Sequence, residues 1–407
     1  MRNLLVAQSG GPTAAINATV AGVLTAASLS GTVDQVLGAV NGIKGVLEER
    51  FVNLTDTMNN TADLELLCQT PAAALGSCRF KLKDAGEDES QYREIIRIFR
   101  KYEISYFIYI GGNDSMDTVD KLSAYCEKQG IRDIHVMGAP KTIDNDLCGT
   151  DHCPGFGSAA KYIGSTFAEL ERDCSVYDTK AVTIVEVMGR NAGWLTAASA
   201  LARNNGGDGP DLIYLCERPF ELEKFLEDVR ECLSRKASVL VAVSEGIRDR
   251  EGRYISETVQ SGAVDNFGHS YIAGSARVLE DAVRRRIGCK VRSIELNLMQ
   301  RCASHISSAT DIQESRMLGM TACHCALEGK SGLMASVERI SDEPYRVRFT
   351  AVPVSQVSNR EKKVPEDYMN QAGNDVTDKM MAYLKPLIQG ESQVIFRNGI
   401  PCHIRLY

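Results

Sequence analysis

Short apolar, β-branched runs recur along the chain, each closing on glycine or a polar turn: Leu4–Ser9, Tyr106–Ile110, His135–Ala139, Ala181–Val187, Asp211–Cys216 and Ser238–Ser244. Runs without a polar face predict buried parallel strands. Between them, Gln91–Lys101, Met116–Gln129 and Ser158–Cys174 read as helices. The alternation is βαβ, so the predicted fold class is α/β: two lobes of doubly wound, mainly parallel sheet with helices on both faces. Ligands of such folds collect at the carboxyl ends of the strands. Past Glu338 the pattern weakens. Val352–Asp367 is rich in Pro, Lys and Asn, ahead of a helix near Asp375–Pro386 and a closing strand near Gln393–Arg397. This stretch reads as a peripheral extension of the second lobe.

Composition narrows the class. With 407 residues and 44% hydrophobic content the chain has apolar surface for two lobes. Net charge is −7 with dispersed Lys and Arg, and Arg284-Arg285-Arg286 reads as a solvated helix face, so no nucleic-acid partner is expected. No apolar run approaches the ~20 residues of a membrane span. The 13 cysteines are odd in number and scattered, and no signal-peptide pattern precedes the first strand, which predicts a reducing, cytoplasmic setting. Neither Cys323-His324-Cys325 nor Cys148 with Cys153 has zinc-site spacing, so both read as incidental thiols. Asp84–Ser90 reads as a solvated loop.

Candidate chemistry falls at the strand ends. Gly111-Gly112-Asn113-Asp114-Ser115 follows one strand and Pro140-Lys141-Thr142-Ile143-Asp144-Asn145-Asp146 the next. Backbone N–H groups of a glycine turn can approach phosphate oxygens, while a carboxylate one strand away can take a proton from a hydroxyl. Gly10-Gly11-Pro12-Thr13-Ala14-Ala15-Ile16-Asn17 opens a helix after the first strand. It fits neither the dinucleotide nor the Walker pattern, but beside the second glycine turn it predicts anion binding.

Together, Ser9-Gly10-Gly11, Gly76-Ser77-Cys78-Arg79, Gly111-Gly112, Thr142–Asp146, Glu186–Arg190, Ser244-Glu245 and Gln300-Arg301 resemble the 6-phosphofructokinase family, in order and over most of the chain. ATP-using members carry glycine at the positions of Asp114 and Lys141. This chain is similar to the pyrophosphate-dependent branch, which carries Asp and Lys. A carboxylate at Asp114 would repel the α-phosphate of ATP, and Asn41-Gly42-Ile43-Lys44 offers no ring where ATP-using members place one near adenine.

The resemblance implies a phosphofructokinase-like fold and reversible transfer of phosphoryl from pyrophosphate to the 1-hydroxyl of D-fructose 6-phosphate, giving fructose 1,6-bisphosphate and phosphate. It implies a donor lobe of residues 1–157 and about 300–355, and a sugar-phosphate lobe of 158–299 and about 356–407. Asp144 is the implied general base, with Lys141, Arg79 and Arg190 neutralising the moving phosphoryl group. Asp114 belongs to the catalytic set too, with Asp146, which orients Arg190 or Thr142 or touches the metal through water. Gly10, Gly11, Arg79, Gly112, Asn113, Asp114, Ser115 and Lys141 are implied to bind pyrophosphate. Thr142, Ile143, Asp144, Met188, Gly189, Arg190, Glu245, Arg292 and Arg301 are implied to bind the sugar phosphate, Arg292 from a neighbouring subunit, so a homodimer or homotetramer is expected. Magnesium is the implied cofactor, with Asn113 as a ligand in place of the family's aspartate. The family's 6-phosphate histidine falls at Leu298, which leaves Lys180 or His305 as substitutes. An ATP-using kinase and a catalytically silent paralogue are the competing readings.

Overall fold

The computed structural model describes residues 2–259 and 273–407. Two sheets organise them. Strands β1 (Asn3–Gln8), β2 (Val36–Ala39), β3 (Phe51–Asn53), β4 (Ile104–Gly111) and β5 (His135–Pro140) lie in the first. The second holds β6 (Ala181–Val187), β7 (Leu212–Tyr214), β8 (Ser238–Ser244) and β9 (Lys290–Glu295). A hairpin of β10 (Leu333–Asp342) and β11 (Tyr345–Pro353) returns to the first sheet, whose order is β11-β10-β5-β4-β1-β2-β3. Only the outer pairs β2–β3 and β10–β11 are antiparallel there. The second sheet, β7-β8-β6-β9, is parallel throughout.

Every residue of β1 is buried, as a central strand covered on both faces requires. Helices Ile16–Ser30 and Ala309–Leu327 cover one face of the first sheet, and Ser90–Lys101 and Asn113–Lys128 the other. The first pair approaches closely through glycine: a Cβ on Gly22 would lie 2.0 Å from the Arg316 carbonyl oxygen, and one on Gly319 2.0 Å from that of Thr19. No helix among the described residues is long and apolar enough to cross a membrane.

The end of the chain differs from its sequence reading. The stretch past Glu338 begins as the edge hairpin of the first sheet, not as an extension of the second lobe. Residues 354–407 then visit both halves. Val354 and Val357 pack with the first sheet, Met380, Tyr383, Leu384 and Leu387 join Phe156 and Trp194 in the core of the second, and Leu406 returns to the first beside Leu67 and Leu75. The expected closing strand is two residues, Phe396–Arg397, turned at Asn398 and Gly399 onto Ile400–Pro401.

Candidate active site

The carboxyl ends of β1, β4, β5, β6 and β8 face one cavity of about 640 Å³. On the first-sheet side, β1 runs into Ser9-Gly10-Gly11, and Gly10 takes a positive φ of 78°. The Gly10 carbonyl accepts Ser77 Oγ at 2.6 Å, and the Gly11 carbonyl accepts Lys141 Nζ at 2.6 Å. The loop that delivers Arg79 is held from beneath. Fully buried Asn17 donates to the carbonyls of Thr70 and Ala72 at 2.8 Å and accepts the Ala74 N–H and Gln8 Nε2, while Gln8 accepts the Leu75 N–H. β4 ends at Gly111, and helix Asn113–Lys128 starts beyond Gly112 with Asp114 in its first turn and Ser115 buried.

The segment after β5 carries the reaction loop. Lys141 N–H donates to the Gly111 carbonyl, and Asp144 N–H to Thr142 Oγ1 at 3.2 Å. Asp144 sits in a turn with no helix directly after it. Asn145 takes the left-handed conformation, φ 56°, and is fully buried. Its Oδ1 accepts the Cys153 N–H at 3.0 Å and its Nδ2 donates to the Tyr383 hydroxyl at 2.8 Å. The neighbouring Asp144 and Asp146 are thereby pointed by a rigid backbone.

From the second sheet, β6 delivers Met188, Gly189 and Arg190, and β8 delivers Glu245, whose Oε1 accepts the Gly189 N–H at 3.2 Å. Arg301 reaches in from the short helix Met299–Cys302. The cavity wall therefore includes Gly10, Gly11, Arg79, Gly112, Asn113, Asp114, Ser115, Lys141, Thr142, Ile143, Asp144, Asp146, Met188, Arg190, Glu245 and Arg301. Gly189 lies behind Met188 and Arg190 and shapes their turn, at φ 139°.

Burial dominates the electrostatics. It pushes the Lys141 ammonium down to about 8, with Asp144 and Asp146 opposing. It pushes the Asp144 carboxyl above its ordinary value, against Lys141, Arg190 and Arg301. Asp146 rises to about 7 through burial and the charges of Asp144 and Glu361, and Glu245 to about 7 through burial. Without bound anions, loss of water on burial outweighs the surrounding cations at Asp144.

Asn113 and Arg292 differ from the rest of the expected set, Asn113 in its hydrogen bonds and Arg292 in standing outside this chain's own cavity, where a residue serving a neighbouring subunit would stand. Asn113 Oδ1, expected to face magnesium, accepts the Asn359 N–H at 2.6 Å, and its Nδ2 donates to the Arg360 carbonyl at 2.6 Å. The amide is committed at both ends. Arg292 lies outside the cavity, exposed on edge strand β9. Lys180 and His305 are exposed and, like Leu298, do not line the cavity.

Lys81, Asn191, Asn359 and Glu361 also line it, unread in the sequence. Lys81 had a signal, since it alternates with Arg79 along an extended stretch, and Asn191 directly follows Met188-Gly189-Arg190. Asn359 and Glu361 had none.

Glycine turns, converging cations and buried carboxylates at parallel-strand ends suit phosphoryl transfer. The chain belongs to the phosphofructokinase family, whose model matches residues 3–326. It is 40% identical over 407 residues, 99% of this chain and 96% of the relative, to a pyrophosphate–fructose 6-phosphate 1-phosphotransferase of Xanthomonas campestris pv. campestris. A protein of the same name from Methylococcus capsulatus is 40% identical over 411 residues, covering 100% of this chain and 96% of the relative. The crystal structure of pyrophosphate-dependent phosphofructokinase from Nitrosospira multiformis superposes with a TM-score of 0.88 at 37% identity, covering 99% of this chain and 96% of that one.

Proposed function

We propose that this chain transfers phosphoryl reversibly from pyrophosphate to the 1-hydroxyl of D-fructose 6-phosphate, giving fructose 1,6-bisphosphate and phosphate. The observation that carries this reading is Lys141 and Asp144 on one loop, facing both glycine turns, with Asp114 on the helix behind the second. Asp144 takes the proton of the attacking hydroxyl. Lys141, Arg79 and Arg190 neutralise charge as the phosphoryl group moves, and the glycine-turn N–H groups with Ser115 hold the donor. Asp114 excludes a nucleotide by repelling an α-phosphate. The half built on the seven-stranded sheet takes pyrophosphate. Glu245, Met188, Gly189, Arg190 and Arg301 take the sugar phosphate, with Thr142 and Ile143 of the reaction loop facing them across the cavity.

The cavity also supports a metal. Its cations, Arg79, Lys81, Lys141, Arg190 and Arg301, are matched in number by Asp114, Asp144, Asp146, Glu245 and Glu361. Pyrophosphate is polyanionic, and magnesium suits its oxygens with a carboxylate such as Asp114 or Asp146 and several waters. Bound there, magnesium would withdraw charge from the transferring phosphoryl group. Among the described residues no three acidic, His or Cys groups form a metal cluster, which favours entry of the ion with its substrate.

Arg292, exposed on an edge strand, serves the 6-phosphate in a neighbouring copy, so the working form is a homodimer or homotetramer. All thirteen cysteines are free thiols, which supports a cytoplasmic setting. The direct test is the reverse reaction: orthophosphate and fructose 1,6-bisphosphate with magnesium should yield pyrophosphate and fructose 6-phosphate. No pyrophosphate formed by the purified chain would overturn the reading.

A further inference from the structure

Residues 358–364 have no helix or strand of their own, yet they touch the donor helix, the reaction loop and the second-sheet side of the cavity. They begin on one face of helix Asn113–Lys128. Ser358 Oγ donates to Asp120 Oδ2 at 3.1 Å, Asn359 Nδ2 to Asp117 Oδ1 at 3.0 Å, and the Asn113 amide clamps Asn359 and Arg360 with two 2.6 Å bonds. The segment then crosses the reaction loop. Glu361 pairs with Leu147, Lys362 N–H donates to the Asp146 carbonyl at 2.7 Å, and Lys362 Nζ donates to the Asp151 carbonyl at 2.6 Å. It ends on the second sheet's side. Glu361 Oε1 accepts Asn191 Nδ2 at 2.7 Å, the Lys362 carbonyl accepts Trp194 Nε1 at 3.0 Å, and Val364 N–H shares Glu217 Oε1 with Gly193 N–H.

We propose that residues 358–362 are a positioning strap for phosphoryl transfer, anchored by Asn113 on the donor helix and by Glu361 on Asn191 beside Arg190, which holds donor site, base and sugar site in one register. In-line transfer depends on such register, because the attacking oxygen, the phosphorus and the leaving oxygen must line up across two halves of the molecule. The strap also accounts for an amide at position 113. The Asn113 NH2 donates to a carbonyl, and an aspartate would set a carboxylate against the Arg360 carbonyl oxygen. A metal-ligand role for position 113 makes the opposite demand, since a carboxylate would bind magnesium better.

The inference rests on the reaction proposed above, and its test separates the two. Asn113→Asp, Glu361→Ala and Glu361→Gln should be compared with wild type in steady-state kinetics and in the emission of Trp194, the chain's single tryptophan, whose indole N–H is bound to the strap. Asn113→Asp and Glu361→Ala should lower kcat about tenfold or more while moving the KM for fructose 6-phosphate less than about threefold, the signature of lost alignment. Both should shift Trp194 emission to longer wavelength. Glu361→Gln keeps an acceptor oxygen for Asn191 and should lose clearly less of kcat than Glu361→Ala. Wild-type or higher kcat in Asn113→Asp with unchanged emission would overturn the strap, as would Glu361→Gln falling as far as Glu361→Ala. If Asn113→Asp fails to fold, the Glu361 pair decides. A wild-type protein inactive with pyrophosphate would fail the functional reading alone, leaving the emission shifts to judge the strap.

Discussion

Lys141 Nζ donates to the Gly11 carbonyl at 2.6 Å. The cation that opens the reaction loop thus also fixes the second glycine of the first turn, and a side chain buried to 2% exposure links two segments 130 positions apart. Burial lowers this ammonium to about 8 in the free protein. A charged lysine is needed to attract pyrophosphate, so kcat/KM for pyrophosphate should fall as pH rises through about 8. Lys141→Met should lower kcat/KM at least about 10²-fold and remove that alkaline limb. Full pH profiles of both proteins check this.

Asp144→Asn should lower kcat by about 10²-fold or more with little change in substrate binding, as loss of a general base does. Asp144 is raised above its ordinary value, and it must be ionised to accept a proton. Activity should therefore be lost as pH falls through that raised value, earlier than for a solvent-exposed carboxylate. Because Asp146 is raised to about 7 beside it, the acid limb belongs to the two carboxyls together.

His152 should make stability pH-dependent. Its imidazole lies buried between Asp151 at 2.8 Å and Glu314 at 2.5 Å. Burial presses its pKa down, and the two carboxylates more than reverse this, to about 9. A folded pKa raised above the unfolded value stabilises fully below about 6.5 and is lost as pH rises through about 9. Thermal scans should show Tm falling across that window. His152→Ala should cost about 3–5 kcal/mol, chiefly by leaving buried Glu314 without its cation, since Asp151 is part-exposed and keeps Arg339 at 3.0 Å, and it should flatten the pH dependence.

Arg292→Ala should raise the KM for fructose 6-phosphate more than that for pyrophosphate, since its guanidinium stands on an exposed edge strand away from its own cavity. Sedimentation should find an oligomer in the active fraction. An active monomer, unaffected by dilution, would exclude a shared site.

The parts of the site that were legible in the sequence are contiguous. Gly10-Gly11, Gly111-Gly112 and Lys141 through Asp146 each follow a buried apolar strand, so local pattern located both the strand end and the chemistry it presents. β11 lacks a continuous apolar run like those of the central strands and went unread, although Tyr345, Val347, Phe349 and Ala351 alternate with Arg346, Arg348 and Thr350 as a half-exposed edge strand does. Asn113 shows the deeper reason for a miss. Its partner Arg360 is 247 positions away, in a Pro-, Lys- and Asn-rich stretch without periodicity, and only the folded chain brings the two together. Asp144 was legible as a residue but not in its electrostatics, since desolvation depends on what covers it.

Donor choice is the most direct test of the central claim. Purified protein with fructose 6-phosphate and magnesium should be given pyrophosphate, ATP and polyphosphate in parallel, and fructose 1,6-bisphosphate formation measured. Turnover is predicted with pyrophosphate and not with ATP, because Asp114 and Lys141 stand where a nucleotide-using site keeps glycine and no ring stands at Asn41–Lys44. ATP-driven turnover equal to or above the pyrophosphate rate would contradict the account.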